Sequence, residues 1–137
     1  MPIYDVAAAA EALGVPAKQI DNILSRNTLP GVEHKRRGVS RRIAPEAVVT
    51  LAVTLELGDT LGLTVPSALG VAKALREHGG VLDLGSFARI SVDLDALHAS
   101  TIARLDAAVE AVGRRARGRR PKQRNPADAV DGVAKDV

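Results

Sequence analysis

Residues 5–26 read DVAAAAEALGVPAKQIDNILSR. Asp5 is a favoured N-cap residue ahead of a run of alanines, the residue with the highest helix propensity, so a short helix is predicted from Asp5 to Leu13. Leu13-Gly14-Val15-Pro16 then breaks it. Gly14 suits the left-handed position after a helix, and Pro16 suits the first turn of the next one. That second helix runs to about Arg26. Ile20, Ile23 and Leu24 are spaced to face inward, while Lys18, Gln19, Asn22 and Arg26 recur at steps of three and four on the opposite face. Two short helices joined by a tight glycine turn make the helix-turn-helix pattern.

Leu29-Pro30-Gly31 ends the second helix, and HKRRGVSRR (34–42) follows, with five Lys or Arg among its nine residues. We read 32–43 as a β-hairpin whose tip lies near Arg36-Arg37-Gly38, the glycine supplying a positive φ in the turn. Pro45, at an N1 position, opens a third helix to about Leu61, with Val48, Leu51, Ala52 and Leu55 as its buried stripe. After the turn at Gly62-Leu63-Thr64 a fourth helix follows Pro66, burying Leu69, Ala72 and Leu75, and stops at Gly79-Gly80. VLDL (81–84) and FARISV (87–92) then resemble two short strands around a two-residue Gly-Ser turn. Residues 94–113 carry Ile102, Leu105, Val109 and Val112 at 3-4-3 spacing, a short a/d seam. Beyond Gly113 no amphipathic period survives, so 114–137 is expected to be a disordered basic tail.

Composition narrows the function classes. The chain has 137 residues and 46% apolar content, which suits one domain with appendages. Tyr4 and Phe87 are its only aromatic rings apart from histidines, so the core must be built from Ala, Val, Leu and Ile. The absence of Cys excludes disulfides and thiolate metal sites. His34, His78 and His98 are too scattered to suggest zinc, and no cofactor is expected. No apolar run approaches the roughly 18 residues of a membrane span, and MPIYDVAAAA lacks the basic start of a signal peptide. The expected setting is cytoplasmic and nucleoid-associated. The net charge is only +3, but seven of the eleven residues 114–124 are basic, and residues 1–113 hold 11 Lys/Arg against 13 Asp/Glu. Cations concentrated in two places suit a polyanionic partner.

The order of these signals resembles the winged helix-turn-helix of MerR-like regulators and the related excisionase-like proteins. The residues that carry the likeness, within about residues 3–78, are Val6, Ala10, Leu13-Gly14-Val15, Arg41-Arg42-Ile43, Pro45-Glu46, Val48 and Leu61-Gly62-Leu63. The resemblance implies double-stranded DNA as partner. Departures are visible as well: the second helix lacks an aromatic pair, Ile43 stands where a Tyr is frequent, and the long coiled coil and ligand domain of the family are replaced by a brief strand-strand-helix piece.

The expected architecture is therefore mainly α: a winged helix-turn-helix of four short helices and a β-hairpin wing over residues 1–79, a strand-strand-helix dimerisation module over 80–113, and the tail. Lys18, Gln19, Asn22 and Arg26 form the candidate reading face, because Gln and Asn can bond adenine bidentately and Arg or Lys can bond guanine. An ordinary polar helix surface would look the same. Lys35, Arg36, Arg37, Arg41 and Arg42 suit a wing lying along phosphates, or else a charged edge strand that resists aggregation. Arg117, Arg119 and Arg120, in ARGRRPK (116–122), are expected to add sequence-independent affinity, although the stretch is also like an imperfect AT-hook core. Ile102, Leu105, Val109 and Val112 are expected to hold a homodimer. Asp83, Asp93 and Asp95 sit at element boundaries, where Asp caps, and no nucleophile accompanies them. Neither a phosphate-binding Gly loop nor a small-molecule ligand is evident. The sequence thus points to a non-enzymatic transcriptional regulator. The alternatives are an architectural or recombination-directing DNA-bending factor and a protein-interaction adaptor.

Overall fold

The computed structural model describes residues 3–33 and 41–118. Among them the chain is mainly helical, with two small antiparallel hairpins. In order the elements are α1 (Val6–Leu13), α2 (Ala17–Arg26), β1 (Val32–Glu33), β2 (Arg42–Ile43), α3 (Pro45–Leu61), α4 (Val65–Glu77), β3 (Val81–Leu84), β4 (Ala88–Ser91) and α5 (Leu94–Gly118).

The first turn is built as the residue types dictate. The Asp5 carboxylate accepts the Ala8 N–H at 2.8 Å, satisfying one of the amides left open at a helix start. At the other end Gly14 adopts φ 71°, and the amides there bond back to the last turn of α1. Pro16 sits one residue before α2, at its N-cap position rather than inside its first turn. Ala8, Ala9, Ala10 and Ala12 are all buried, so α1 presents a surface of methyl groups that lets neighbouring helices come close.

The hairpin is closed at its base. Val32 pairs with Ile43 and Glu33 with Arg42, and Ile43 also exchanges two backbone hydrogen bonds with Tyr4, at 2.8 and 2.7 Å. Ile43 is fully buried at the centre of this small ladder, so a tyrosine-like outward role is foreclosed at that position. The tip expected near Arg36-Arg37-Gly38 lies outside the described residues.

The third helix is more deeply buried than its stripe predicts. Beyond Val48 and Leu51, it also buries Ala47, Val49, Thr50, Val53, Thr54 and Leu57, whereas Ala52 and Leu55 are only half-buried. Elements cover it on several sides, and a periodic pattern cannot report that. Its two buried hydroxyls are satisfied within the helix: Thr50 donates to the Glu46 carbonyl at 3.0 Å and Thr54 to the Thr50 carbonyl at 2.7 Å. One apolar cluster joins α1, α2, the hairpin base, α3 and α5. A second lies between α3, α4 and the β3–β4 hairpin. As expected, α4 buries Leu69, Ala72 and Leu75, with Ala68.

Gly80 makes the sharp link from α4 into β3. It adopts φ 94°, and a Cβ there would be driven into the Val92 carbonyl oxygen, so only glycine fits. The β3–β4 register pairs Leu84 with Ala88, which leaves Gly85, Ser86 and Phe87 in the turn. The loop is therefore one residue longer than the Gly-Ser turn expected, and the Phe87 ring stands fully in solvent.

The long C-terminal helix departs most from expectation. The predicted seam treats Ile102, Leu105, Val109 and Val112 as one face for a second chain. Instead α5 packs on α1 and α3 of its own chain. Leu105 is completely buried there with Ala108 and Thr101, Ile102 and Val112 are half-buried, and Val109 is exposed. The buried stripe is thus 101-105-108. Polar contacts fix the register: the Tyr4 hydroxyl donates to Asp106 Oδ1 at 3.4 Å, and Arg115 Nη2 reaches Glu11 Oε1 at 2.6 Å. Arg115, together with an i,i+4 pair of Arg114 and Glu110 at 3.2 Å, also carries the helix past the boundary expected at Gly113, into Gly118.

Candidate functional site

The outward face of α2 is the best-defined candidate. Ile20, Ile23 and Leu24 anchor the helix in the core, which leaves Lys18, Gln19, Asn22 and Arg26 exposed together, as their spacing predicts. At 100° per residue, Lys18, Asn22, Arg26 and Gln19 span one continuous sector of the helix. Val65 and Pro66, at the start of α4, rise beside it and close a groove of about 560 Å³ floored by Ile23. Asn27 lines the same groove, and its Nδ2 donates to the Ile23 carbonyl at 2.9 Å, capping the helix end. Sequence reasoning missed Val65, Pro66 and Asn27. No local pattern announces that the start of a helix some 40 residues away will meet α2.

The other border of the sector is Asp21 and Ser25, the stripe next to Lys18 and Asn22. Here the structure revises a predicted site residue. Arg41 is buried, 8% exposed, and its guanidinium turns inward rather than toward an external phosphate. It forms an ion pair with the Asp21 carboxylate, and its Nη2 donates to Ser25 Oγ at 3.1 Å. Ser25 in turn donates to the Asp21 carbonyl at 2.8 Å. Among the described residues the Arg41 Nε has no partner. Spacing alone made Arg41 and Arg42 equivalent members of a cationic run, but strand alternation sends them to opposite faces.

Arg42 is the outward member. Its side chain is 58% exposed, and its Nε lies 3.9 Å from Glu33 Oε1 across the hairpin, a loose surface pair that leaves it open to other anions. Lys35, Arg36 and Arg37 lie outside the described residues, as do Arg119, Arg120 and His34. Arg117 falls in the last turn of α5. Glu33 and Arg42 are thus held together by the β1–β2 pairing, and Arg41 is held against α2 by Asp21.

The remaining candidates have local roles. The Asp93 side chain accepts the Ala96 N–H at 3.0 Å at the start of α5, and Asp83 pairs with Arg89 at 2.7 Å across β3 and β4. His78 and His98 are exposed. Among the described residues no group of three or more potential ligands could hold a metal ion, and no helix is long and apolar enough to cross a membrane. At Tyr4, burial first, then the Asp106 carboxylate, raises the pKa above the ordinary 10.0.

Comparison with family models, with curated proteins and with solved structures finds no match to this chain.

Proposed function

We propose that this chain is a MerR-like winged helix-turn-helix protein that binds double-stranded DNA in a sequence-specific way and acts as a transcriptional regulator without enzymatic activity. The observation that carries the reading is the outward face of α2. Four side chains able to read bases or phosphates stand exposed on one sector, bordered by the root of a cation-rich hairpin on one side and by the start of α4 on the other. In this reading α2 enters the major groove, with Gln19 and Asn22 able to pair bidentately with adenine and Lys18 and Arg26 with guanine. Arg42 and the cations of 34–40 follow the adjacent backbone and set position rather than sequence. The basic residues after Gly113 add electrostatic affinity. The internal packing of α5 removes the motive for a dimer through Leu105.

The test is selection of bound sequences from a random DNA pool, followed by salt titrations of single variants. Gln19→Ala and Asn22→Ala are expected to cost roughly 1–3 kcal/mol at particular base pairs and to relax preference there. Arg42→Ala is expected to weaken binding to all sequences alike and to lower the salt slope by about one. Failure of the pool to converge, or an Arg42→Ala slope equal to wild type, counts against the reading.

A further inference from the structure

A second cavity, of about 410 Å³, lies where the α1–α2 turn, the middle of α3 and the start of α5 converge. Its size falls within the range of about 300–1,000 Å³ that suits small-molecule sites. One wall is aliphatic, formed chiefly by Leu13, Val53 and Leu97. The rim carries Glu56 and Asp59 on α3 and Arg104 on α5, so both signs of charge meet in one cleft. They do not neutralise each other: neither carboxylate lies within 4 Å of the guanidinium, since among the described residues Arg104 and Asp59 make no salt bridge or side-chain hydrogen bond. Among the described residues Glu56 accepts the Thr60 hydroxyl alone, at 2.9 Å.

A further observation comes from α5. Leu97, Thr101 and Arg104 form one stripe of this helix, and the outer two line the cavity. Thr101 is 1% exposed, yet its hydroxyl has no partner among the described residues. The buried threonines of α3 bond a carbonyl one turn back, which is the ordinary solution. A buried hydroxyl left without a partner is uncommon in a folded protein, but Thr101 does not line the cavity, so the contacts this helix offers there are those of Leu97 and Arg104.

We propose that this cleft binds a small aliphatic α-amino acid, with its carboxylate on Arg104, its ammonium on Asp59 and Glu56, and its side chain against Leu13, Val53 and Leu97. A molecule with only one of the two charges would pair with only one side of this rim, whereas a zwitterion pairs with both. The bound molecule would touch Leu13-Gly14-Val15, the turn joining α1 to α2. The site does not depend on the DNA-binding reading and is measured without DNA.

Isothermal titration calorimetry of the full chain with L-leucine is the test, with isovalerate and isoamylamine as single-charge controls. Saturable one-site binding of leucine is expected, weakened roughly tenfold or more by Arg104→Gln and by Asp59→Asn. Both residues are exposed, so circular dichroism should show both variants folded. The proposal is overturned by no saturable leucine binding, by equal binding of isovalerate or isoamylamine, or by undiminished binding in folded Arg104→Gln.

Discussion

Breaking the Arg41–Asp21 pair from either side should give unequal costs, because the two partners differ in burial. The Arg41 side chain is 9% exposed, whereas that of Asp21 is 42% exposed. Removing one member of a fully buried ion pair costs about 3–5 kcal/mol, since the other charge is stranded. Asp21→Asn strands the buried guanidinium with an amide and the Ser25 hydroxyl. Water already screens part of this pair, so the expected loss is about 2 kcal/mol. Arg41→Met keeps most of the apolar stem and removes the partnerless Nε donor; the Asp21 carboxylate left behind can turn to water. That variant should lose only about 1 kcal/mol. The double variant should lose less than the two singles combined, because their effects share one interaction. Urea unfolding followed by circular dichroism measures all three, with Arg42→Ala as an exposed-charge control expected within about 0.5 kcal/mol of wild type. The reasoning is refuted if Asp21→Asn costs no more than Arg42→Ala, or if Arg41→Met costs more than Asp21→Asn.

Three further outcomes follow from the packing. Leu105→Ala should destabilise the fold by about 2–5 kcal/mol, because its side chain fills the α1–α5 core, while Val109→Ala on the exposed side should change urea stability by no more than about 0.5 kcal/mol. Tyr4, the sole tyrosine, should ionise above its ordinary 10.0 in an ultraviolet titration of the folded protein. Because its folded pKa is raised, its contribution to stability should be complete below about pH 10 and lost as pH rises through the folded value; Tyr4→Phe should remove that alkaline dependence. Gly80→Ala should cost about 1–3 kcal/mol or more, read as a lowered Tm, since the residue sits at φ 94° with no room for a Cβ.

Much of the local structure was legible in the sequence because its causes are local. Asp5, Gly14, Pro45 and Gly62 mark helix ends through capping and backbone freedom, and the apolar steps in α2 and α4 assign their inward faces without reference to any neighbour. For the same reason the exposed set Lys18, Gln19, Asn22 and Arg26 could be named in advance. Whatever depends on which surfaces meet was not legible. A 3-4 seam states that α5 has an apolar side, but the same spacing serves a partner chain or the chain's own α1; packing against α1 places Leu105 and Ala108 in this chain's own core. HKRRGVSRR shows five like charges among nine residues, and charge alone cannot distinguish the arginine that is buried from the one that is not. That distinction arose only when β2 paired with β1 and turned Arg41 inward. There Asp21 and Ser25, distant in sequence, offset the cost of removing a guanidinium from water.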